Sequence, residues 1–345
     1  MRAAAMGDWR QALDKSEREA LERSPHPDWL APMLATLTHD HFSDPDWLFE
    51  PKFDGERALA FRDGDRVRLM SRNQKNLNDT YPELEQALKD MAIEDFVIDG
   101  EIVTFEDGIS NFSRLQERMQ ISDREEAAAS DVEVHFYVFD LPYLQGYRLD
   151  GLTLRRRKAL LKKMFDFGHR IRYTPHRNEA GEDYHQYACQ QGWEGVIAKR
   201  ADSAYRHSRS TDWLKFKCSN GQELVIGGFT EPHGERPGFG ALLVGYYDDD
   251  KLRYAGKVGT GYDNDFLESF RRRLDKLERK TCPFAEEVDE DGVHWVSPKL
   301  VGEFGFTEWT SDGKLRHPRF IGLRRDKEPR QVVREVPADK SQEKT

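Results

Sequence analysis

The sequence predicts an α+β fold in two domains, a larger mixed domain followed by a small β-barrel. Three observations predict it. The length of 345 residues corresponds to about two domains at roughly 150 residues each. Up to residue 218, strand-like and helix-like runs follow one another in irregular order, without the βαβ alternation of a parallel doubly wound sheet. After Ser219-Asn220-Gly221 the chain changes to short strands cut by Gly and Pro turns. An aromatic content of 11% is too high for a disordered, solvating chain. The net charge of −10 excludes a histone-like wrap around nucleic acid, although local basic patches are compatible with it.

Residues 8–24 alternate charged and apolar residues at helical spacing and predict a surface helix or a frayed tail. Residues 25–45, with four prolines, are extended. A strand is expected over 47–62, a hairpin turn at Asp63-Gly64 and a return strand over 66–72. Residues 80–91 predict a helix with Thr80 as N-cap, Pro82 in the first turn and Glu83 completing a capping box. Further strands are expected at 96–105, 132–141, 196–199 and 213–217, with helices near 111–120, 152–165 and 182–191. In the second domain, about five short strands and one helix over 266–279 suggest a barrel of the OB type. The expected division is a helical extension over 1–24, the larger domain over 25–220, the barrel over 221–336 and a polar tail over 337–345.

Cys189, Cys218 and Cys282 are odd in number and far apart, so neither a disulfide framework nor a zinc cluster is readable, and three reduced thiols are expected. With no apolar leader or spanning run, the expectation is a soluble, cytoplasmic protein without membrane partners. The run 152–163 carries six basic and no acidic side chains, which suits either a solvated helix face or a surface for DNA backbone.

No glycine-rich phosphate loop of the GxxxxGK[ST] or GxGxxG type is present, and no HExxH. Any nucleotide must therefore be held by side chains. Lys52 stands beside Asp54-Gly55; taken alone, such a lysine is more often a salt-bridged surface residue. Asp99-Gly100-Glu101 interrupts an apolar strand, where a carboxylate is costly unless paired or metal-bound. Phe139, in FYVFDL, by itself reads as core. Glu194-Gly195 opens another apolar strand. In Leu214-Lys215-Phe216-Lys217 the period of two puts both lysines on one face and both apolar residues on the other. A lysine attacking phosphorus must lose its proton, and neighbouring ammonium groups with partial desolvation are expected to depress its pKa. Glu101 and Glu194 suit a hard divalent cation.

Together these elements resemble the covalent nucleotidyltransferase superfamily of ATP-dependent DNA ligases, RNA ligases and capping enzymes. KFDGER matches motif I, SRN at 71–73 motif Ia, DGE motif III, FYVFDL motif IIIa, EGVIAK motif IV, LKFK motif V and the RxDK at 324–327 motif VI. The stretches PMLATL, GGFTEP, KVGTGY and LRHPRFIGLRRDK resemble the ligase domain of bacterial non-homologous end-joining ligase D and its stand-alone relatives. The 345 residues leave no room for the nuclease and primase-like domains that often accompany it. The resemblance implies a nucleotidyltransferase (adenylation) domain followed by an OB-fold domain, sealing 5′-phosphate/3′-hydroxyl breaks in duplex DNA, in repair. It implies ATP as AMP donor and Mg²⁺, with Mn²⁺ as the alternative. Lys52 would carry the AMP, with Asp54 shaping its turn. Glu50 would contact adenine and Phe139 would stack on it. Arg57, Arg72 and Glu101 would grip ribose and phosphates, Glu101 and Glu194 the metal, and Lys215 and Lys217 the α-phosphate. Arg324, Asp326 and Lys327 would orient pyrophosphate. The expected partners are nicked or broken DNA and end-joining proteins, and the expected state is a monomer. An RNA ligase or capping-type transferase is the alternative enzyme, and an inactive DNA-end binder the alternative outside catalysis.

Overall fold

A computed structural model describes residues 8–234 and 236–338; the expectations for residues 1–7 and for the tail beyond 338 lie outside the described residues. The chain divides into two compact units, one running to Cys218 and joined by residues 337–338, the other Ser219–Val336. Among the described residues no helix is long and apolar enough to cross a membrane.

Among the described residues the first unit holds a two-stranded sheet, Phe105–Glu106 with Ile109–Ser110, and two large sheets. One orders the strands Glu22–Arg23, Tyr147–Arg148, His135–Leu144, Asp95–Val103, Glu56–Asp63 and Arg66–Ser71, with Ile171–Tyr173 added parallel to His135–Leu144. The other orders Arg177–Asn178, Trp47–Lys52, Gly195–Arg200, Arg209–Lys217 and Leu34–Leu37. The single strand expected over 47–62 is therefore two strands in two different sheets, and the Phe53-Asp54-Gly55 turn crosses between them. Gly55 is needed there, because a Cβ would lie 2.3 Å from the Ile102 carbonyl oxygen. The hairpin does form, with Asp63 opposite Arg66.

Helices cover the outer faces. Phe112–Met119, capped by Asn111, contributes Phe112 and Leu115 to the larger core, and Leu154–Met164, capped by Thr153, contributes Leu160 and Leu161. Gly181–Gln190 packs Tyr184 and Ala188 against Phe49, Val196 and Phe216 of the second sheet. Two local expectations are corrected. The helix Pro82–Lys89 begins at Tyr81 without a side-chain cap, and Glu83 instead accepts from the buried Arg118 guanidinium at 2.7 Å. Residues 8–24 are not a frayed tail: after a short Trp9–Ala12 turn, a capping box between Asp14 and Glu17 starts the Lys15–Ala20 helix, and Trp9 and Leu13 sink into the main core.

The second unit is a six-stranded antiparallel half-barrel. Its strands run Lys251–Val258, Leu242–Asp248, Gly221–Thr230, Val293–Gly305 and Glu278–Arg279, with Arg319–Arg324 also paired to Val293–Gly305. The helix Asn264–Asp275, capped by Asp263, lays Leu267, Phe270 and Leu274 on its apolar face. This is the α+β class expected, with an OB-type second domain.

Candidate active site

The three central strands of the second sheet place the lysines. Gly195 pairs with Lys52 on one side and with Lys217 on the other, so the three residues form one row across the sheet. Two residues along, Glu50, Ile197 and Lys215 form the next row on the same face. The opposite face carries Phe49, Val196, Leu214 and Phe216, all buried, as the period of two requires. Gly195 has φ +149°, and a Cβ there would lie 2.0 Å from the Phe216 carbonyl oxygen. Only glycine fits there, and it lets the three strands close up around that row.

Lys52 is paired with Glu194, immediately before Gly195. Burial and the nearby Lys217 push its amine down, as the sequence suggests, but Glu194 outweighs both and holds it above the usual lysine value. The expected depression is thus corrected: in this structure Lys52 is an ammonium, because a residue expected as a metal ligand is its counter-ion. Asp54 follows in the turn, its N–H donating to Ser110 Oγ at 3.1 Å.

Glu50 is 2% exposed, and both oxygens are engaged, one by Lys158 and the other by Lys199 at 2.6 Å. Burial would raise this carboxyl, but the two ammonium groups keep it below its ordinary value. Burial, with help from Lys158, lowers Lys199 to about 8 against the pull of Glu50. Its Nζ lies 3.9 Å from the Phe139 ring centroid and 4.0 Å from that of Trp213. Phe139 is therefore buried, and Arg57 also lies 4.6 Å from its centroid. Trp213 Nε1, on the lysine face of its strand, is buried without a hydrogen-bond partner among the described residues.

The first sheet supplies the other residues. Arg57 and Glu101 stand opposite each other in register, with Tyr137 next in the row. Arg57 donates through two nitrogens to Asp99 at 2.6 Å each, and Tyr205 donates to the same carboxylate at 2.6 Å. Arg72 lies in the turn after the Arg66–Ser71 strand. Glu101 and Glu194 are half-buried oxygen donors, a donor set that fits a hard divalent cation.

Arg324, Asp326 and Lys327 belong to the second unit and are held by its own acidic groups. Arg324 bridges to Asp326 at 2.8 Å and to Glu303 at 4.0 Å, and Lys327 pairs with Glu223 at 2.9 Å. Burial opposes the charge on Arg324, yet Asp326, Glu223 and Glu303 hold it firmly cationic.

The basic run 152–163 is divided between interior and surface. Arg157 is fully buried against Asp140, with bonds of 2.6 and 3.0 Å, Lys158 grips Glu50, and Arg156 pairs with Glu17 at 2.7 Å. Only Arg155, Lys162 and Lys163 of the six face solvent. Asp99, read from the sequence as a carboxylate in need of a partner, finds it in Arg57, whereas Lys158, Lys199, Tyr205 and Trp213, which hold or border the expected site residues, were given no role there. The signal present was the basic helix itself, since Arg157 and Lys158 sit at its apolar spacing among Leu154, Leu160 and Leu161. The cysteine expectation is also corrected, because Cys189 and Cys218 are bonded, leaving Cys282 as the free thiol.

Residues 32–217 match the family described as ATP dependent DNA ligase domain, and residues 235–327 that described as ATP dependent DNA ligase C terminal region. The multifunctional non-homologous end joining protein LigD of Pseudomonas aeruginosa is 38% identical over 325 residues, covering 92% of this chain and 38% of that protein. The corresponding DNA repair protein LigD of Mycobacterium tuberculosis is 38% identical over 317 residues, 89% of this chain and 40% of that one. The chain thus spans about two-fifths of the length of these relatives. A solved structure described as mycobacterial DNA ligase D complexed with ATP and MES superposes with a TM-score of 0.62 at 36% identity, over 89% of this chain and 98% of that one. Two matched domains spanning nearly every motif, and a shared fold at this level of identity, lead to one conclusion: the chain belongs to the ATP-dependent DNA ligase family.

Proposed function

We propose that this chain is an ATP-dependent DNA ligase that joins 5′-phosphate and 3′-hydroxyl ends in duplex DNA, in repair. The observation that carries the reading is the row Lys52–Gly195–Lys217, with Glu194 on Lys52 and Lys215 one row away. An amine that becomes nucleophilic on losing its proton, with two further cations on the same face, suits attack on an α-phosphate. In the first step the Lys52 ammonium would give a proton to its partner Glu194 or to solvent. The freed lone pair forms the P–N bond, the P–O bond to pyrophosphate breaks with its electrons leaving on pyrophosphate, and the second nitrogen proton passes to solvent. A DNA 5′-phosphate oxygen then takes the AMP from Lys52, and the 3′-hydroxyl displaces AMP to close the backbone. Each step is a phosphoryl transfer governed by positioning and charge neutralisation.

Lys215 and Lys217 would hold the α-phosphate, and Arg57, locked by Asp99, would meet the ribose and phosphates together with Arg72. Phe139 and the unpartnered Trp213 N–H border the space for adenine, with Glu50 fixed by Lys158 and Lys199. A divalent cation, Mg²⁺ or alternatively Mn²⁺, held by Glu101 and Glu194 would neutralise phosphate oxygens. Arg324, Asp326 and Lys327 would act on the departing pyrophosphate. The finer assignments, including end-joining partners and a monomeric state, belong to the same reading.

The test is incubation with α-labelled ATP and Mg²⁺, followed by peptide mapping. The label should sit on Lys52 as an acid-labile, alkali-stable phosphoramidate, and Lys52→Arg should carry none. Label on another lysine, or no label, overturns the reading; equal labelling by GTP favours a capping-type transferase. A labelled protein that fails to seal nicked DNA keeps the nucleotidyl transfer and removes the DNA substrate.

A further inference from the structure

Cys189 and Cys218 are joined in the structure, their Cα atoms 5.2 Å apart. Cys189 lies on the Gly181–Gln190 helix, and Cys218 directly follows the Arg209–Lys217 strand. A disulfide alone needs no further group. Here an imidazole is aimed at it: His185 stands one helical turn before Cys189, on the same helix face, with Nε2 3.4 Å from the Cys189 sulfur. Donor atoms of His185, Cys189 and Cys218 all lie within 4.8 Å of one another. A second imidazole, His41, lies with its ring centroid 3.8 Å from that of His185 and closes one side of the cluster. All four residues are half-buried, so the cluster is reachable from solvent. Two thiolates and an imidazole form a donor set that zinc takes in tetrahedral sites, with water able to occupy a fourth position.

We propose that, once the Cys189–Cys218 bond is reduced, Cys189, Cys218 and His185 bind one zinc ion, with water as the fourth ligand. A thiol reductant supplies the two electrons: the S–S bond breaks, two S–H bonds form, and the reductant leaves as its own disulfide. Zn²⁺ then displaces both thiol protons to solvent as the two sulfurs bind it. Two Zn–S bonds of about 2.3 Å at a tetrahedral angle hold the sulfurs about 3.8 Å apart, which side-chain rotation supplies. His185 Nε2, now 3.3 Å from the Lys217 carbonyl oxygen, turns from that carbonyl to the metal. The ion would replace the covalent bond as the tie between the helix and the end of the lysine strand. That end matters, because the Cys218 N–H also donates at 3.1 Å to the backbone carbonyl of Glu194, whose side chain pairs with Lys52.

The inference stands apart from the ligase reading and is tested without activity. The whole chain, reduced with a phosphine and freed of metal, is titrated with Co²⁺ and then Zn²⁺. Expected are a thiolate-to-cobalt charge-transfer absorption and tetrahedral visible bands saturating at one equivalent, both bleached by Zn²⁺. Cys189→Ser should abolish the charge-transfer signal or cut it sharply, and His185→Gln should weaken Co²⁺ binding at least about tenfold. Cys282→Ser should bind as the parent does. Circular dichroism of each variant separates lost ligation from lost fold, and His185→Gln, outside the covalent pair, serves if Cys189→Ser unfolds. Absence of the charge-transfer band in the reduced parent, or its survival in folded Cys189→Ser, overturns the proposal and leaves a plain disulfide.

Discussion

At the residue scale, the site rests on charges that no solvent screens. Glu50 is 2% exposed, and Lys158 and Lys199 are equally withdrawn, so each is costly without the others. Removing one partner of such a cluster costs about 3–5 kcal/mol, whereas an exposed charge costs within about 0.5 kcal/mol. Lys158→Ala should therefore lower the urea midpoint strongly, and Arg155→Ala on the same helix should leave it nearly unchanged. Equal, small effects would return the whole run to the solvent. Arg57 is tuned in the same way: its contact with Asp99 uses two nitrogens, and Tyr205 occupies the remaining side of that carboxylate. An Arg57→Lys change keeps the charge but loses the fork.

At the element scale, two junctions decide whether the parts align. One is the strand start at Gly195. A side chain there meets the Phe216 carbonyl oxygen at 2.0 Å in a backbone conformation that L-residues rarely adopt. Gly195→Ala should cost at least about 2 kcal/mol and push Lys52 and Lys217 out of register; a fully stable variant that still takes up AMP would show the row to be dispensable. The other junction ties three loops through Asp150. His207 Nε2 donates to Asp150 Oδ2 at 3.0 Å while Nδ1 lies 2.9 Å from the Ala31 carbonyl oxygen, and Arg148 pairs with the same carboxylate. Burial would raise Asp150, but the bonds from His207 and Arg148 outweigh it and bring the carboxyl to about 2 from 3.8. His207 is raised from its ordinary 6.5, first by the bond to Asp150, against burial. A lowered acid stabilises the fold above its unfolded pKa, so that part is lost as pH falls from about 4 toward 2. A raised histidine stabilises below its unfolded pKa, so that part is lost as pH rises through 6.5 to its folded value. Chemical unfolding across pH should show both limbs, and Asp150→Asn should flatten them together; limbs that persist in the variant assign them to other groups.

At the scale of the whole molecule, the residues of the proposed reaction come from two units that are compact in themselves. Arg324 and Lys327 are engaged by Asp326, Glu303 and Glu223 of their own unit, so acting on pyrophosphate means exchanging those carboxylates for phosphate oxygens. Pyrophosphate exists only in the first step. Lys327→Ala should therefore slow self-adenylation far more than closure of a nick already carrying AMP, measured as single-turnover rates. Lys215→Ala should slow both, because the α-phosphate is present throughout. Equal losses in Lys327→Ala would make that residue a structural part of its own unit.

The sequence by itself determined what local periodicity and motif order encode. The alternation around Lys215 and Lys217 and the hairpin closing at Asp63 and Arg66 follow from contacts within a few residues. The order of the motifs was enough to reach the family. What it left undecided depends on partners distant in the chain. Reading 47–62 as one strand passed over a local break at Asp54-Gly55, and which sheet each half joins is decided by tertiary packing alone. Lys158 reads as a surface charge because Glu50 lies 108 residues away. Cys189 and Cys218, 29 residues apart without a motif, meet only because the Gly181–Gln190 helix packs on the sheet that ends at Lys217. Even the charge on Lys52 is tertiary: Lys217 and burial were readable as effects that lower it, but Glu194, which wins, reaches it only through the Lys52–Gly195 pairing. The physical reason is common to all four, since burial and charge pairing are set by spatial neighbours and the chain's own periodicity carries no record of them.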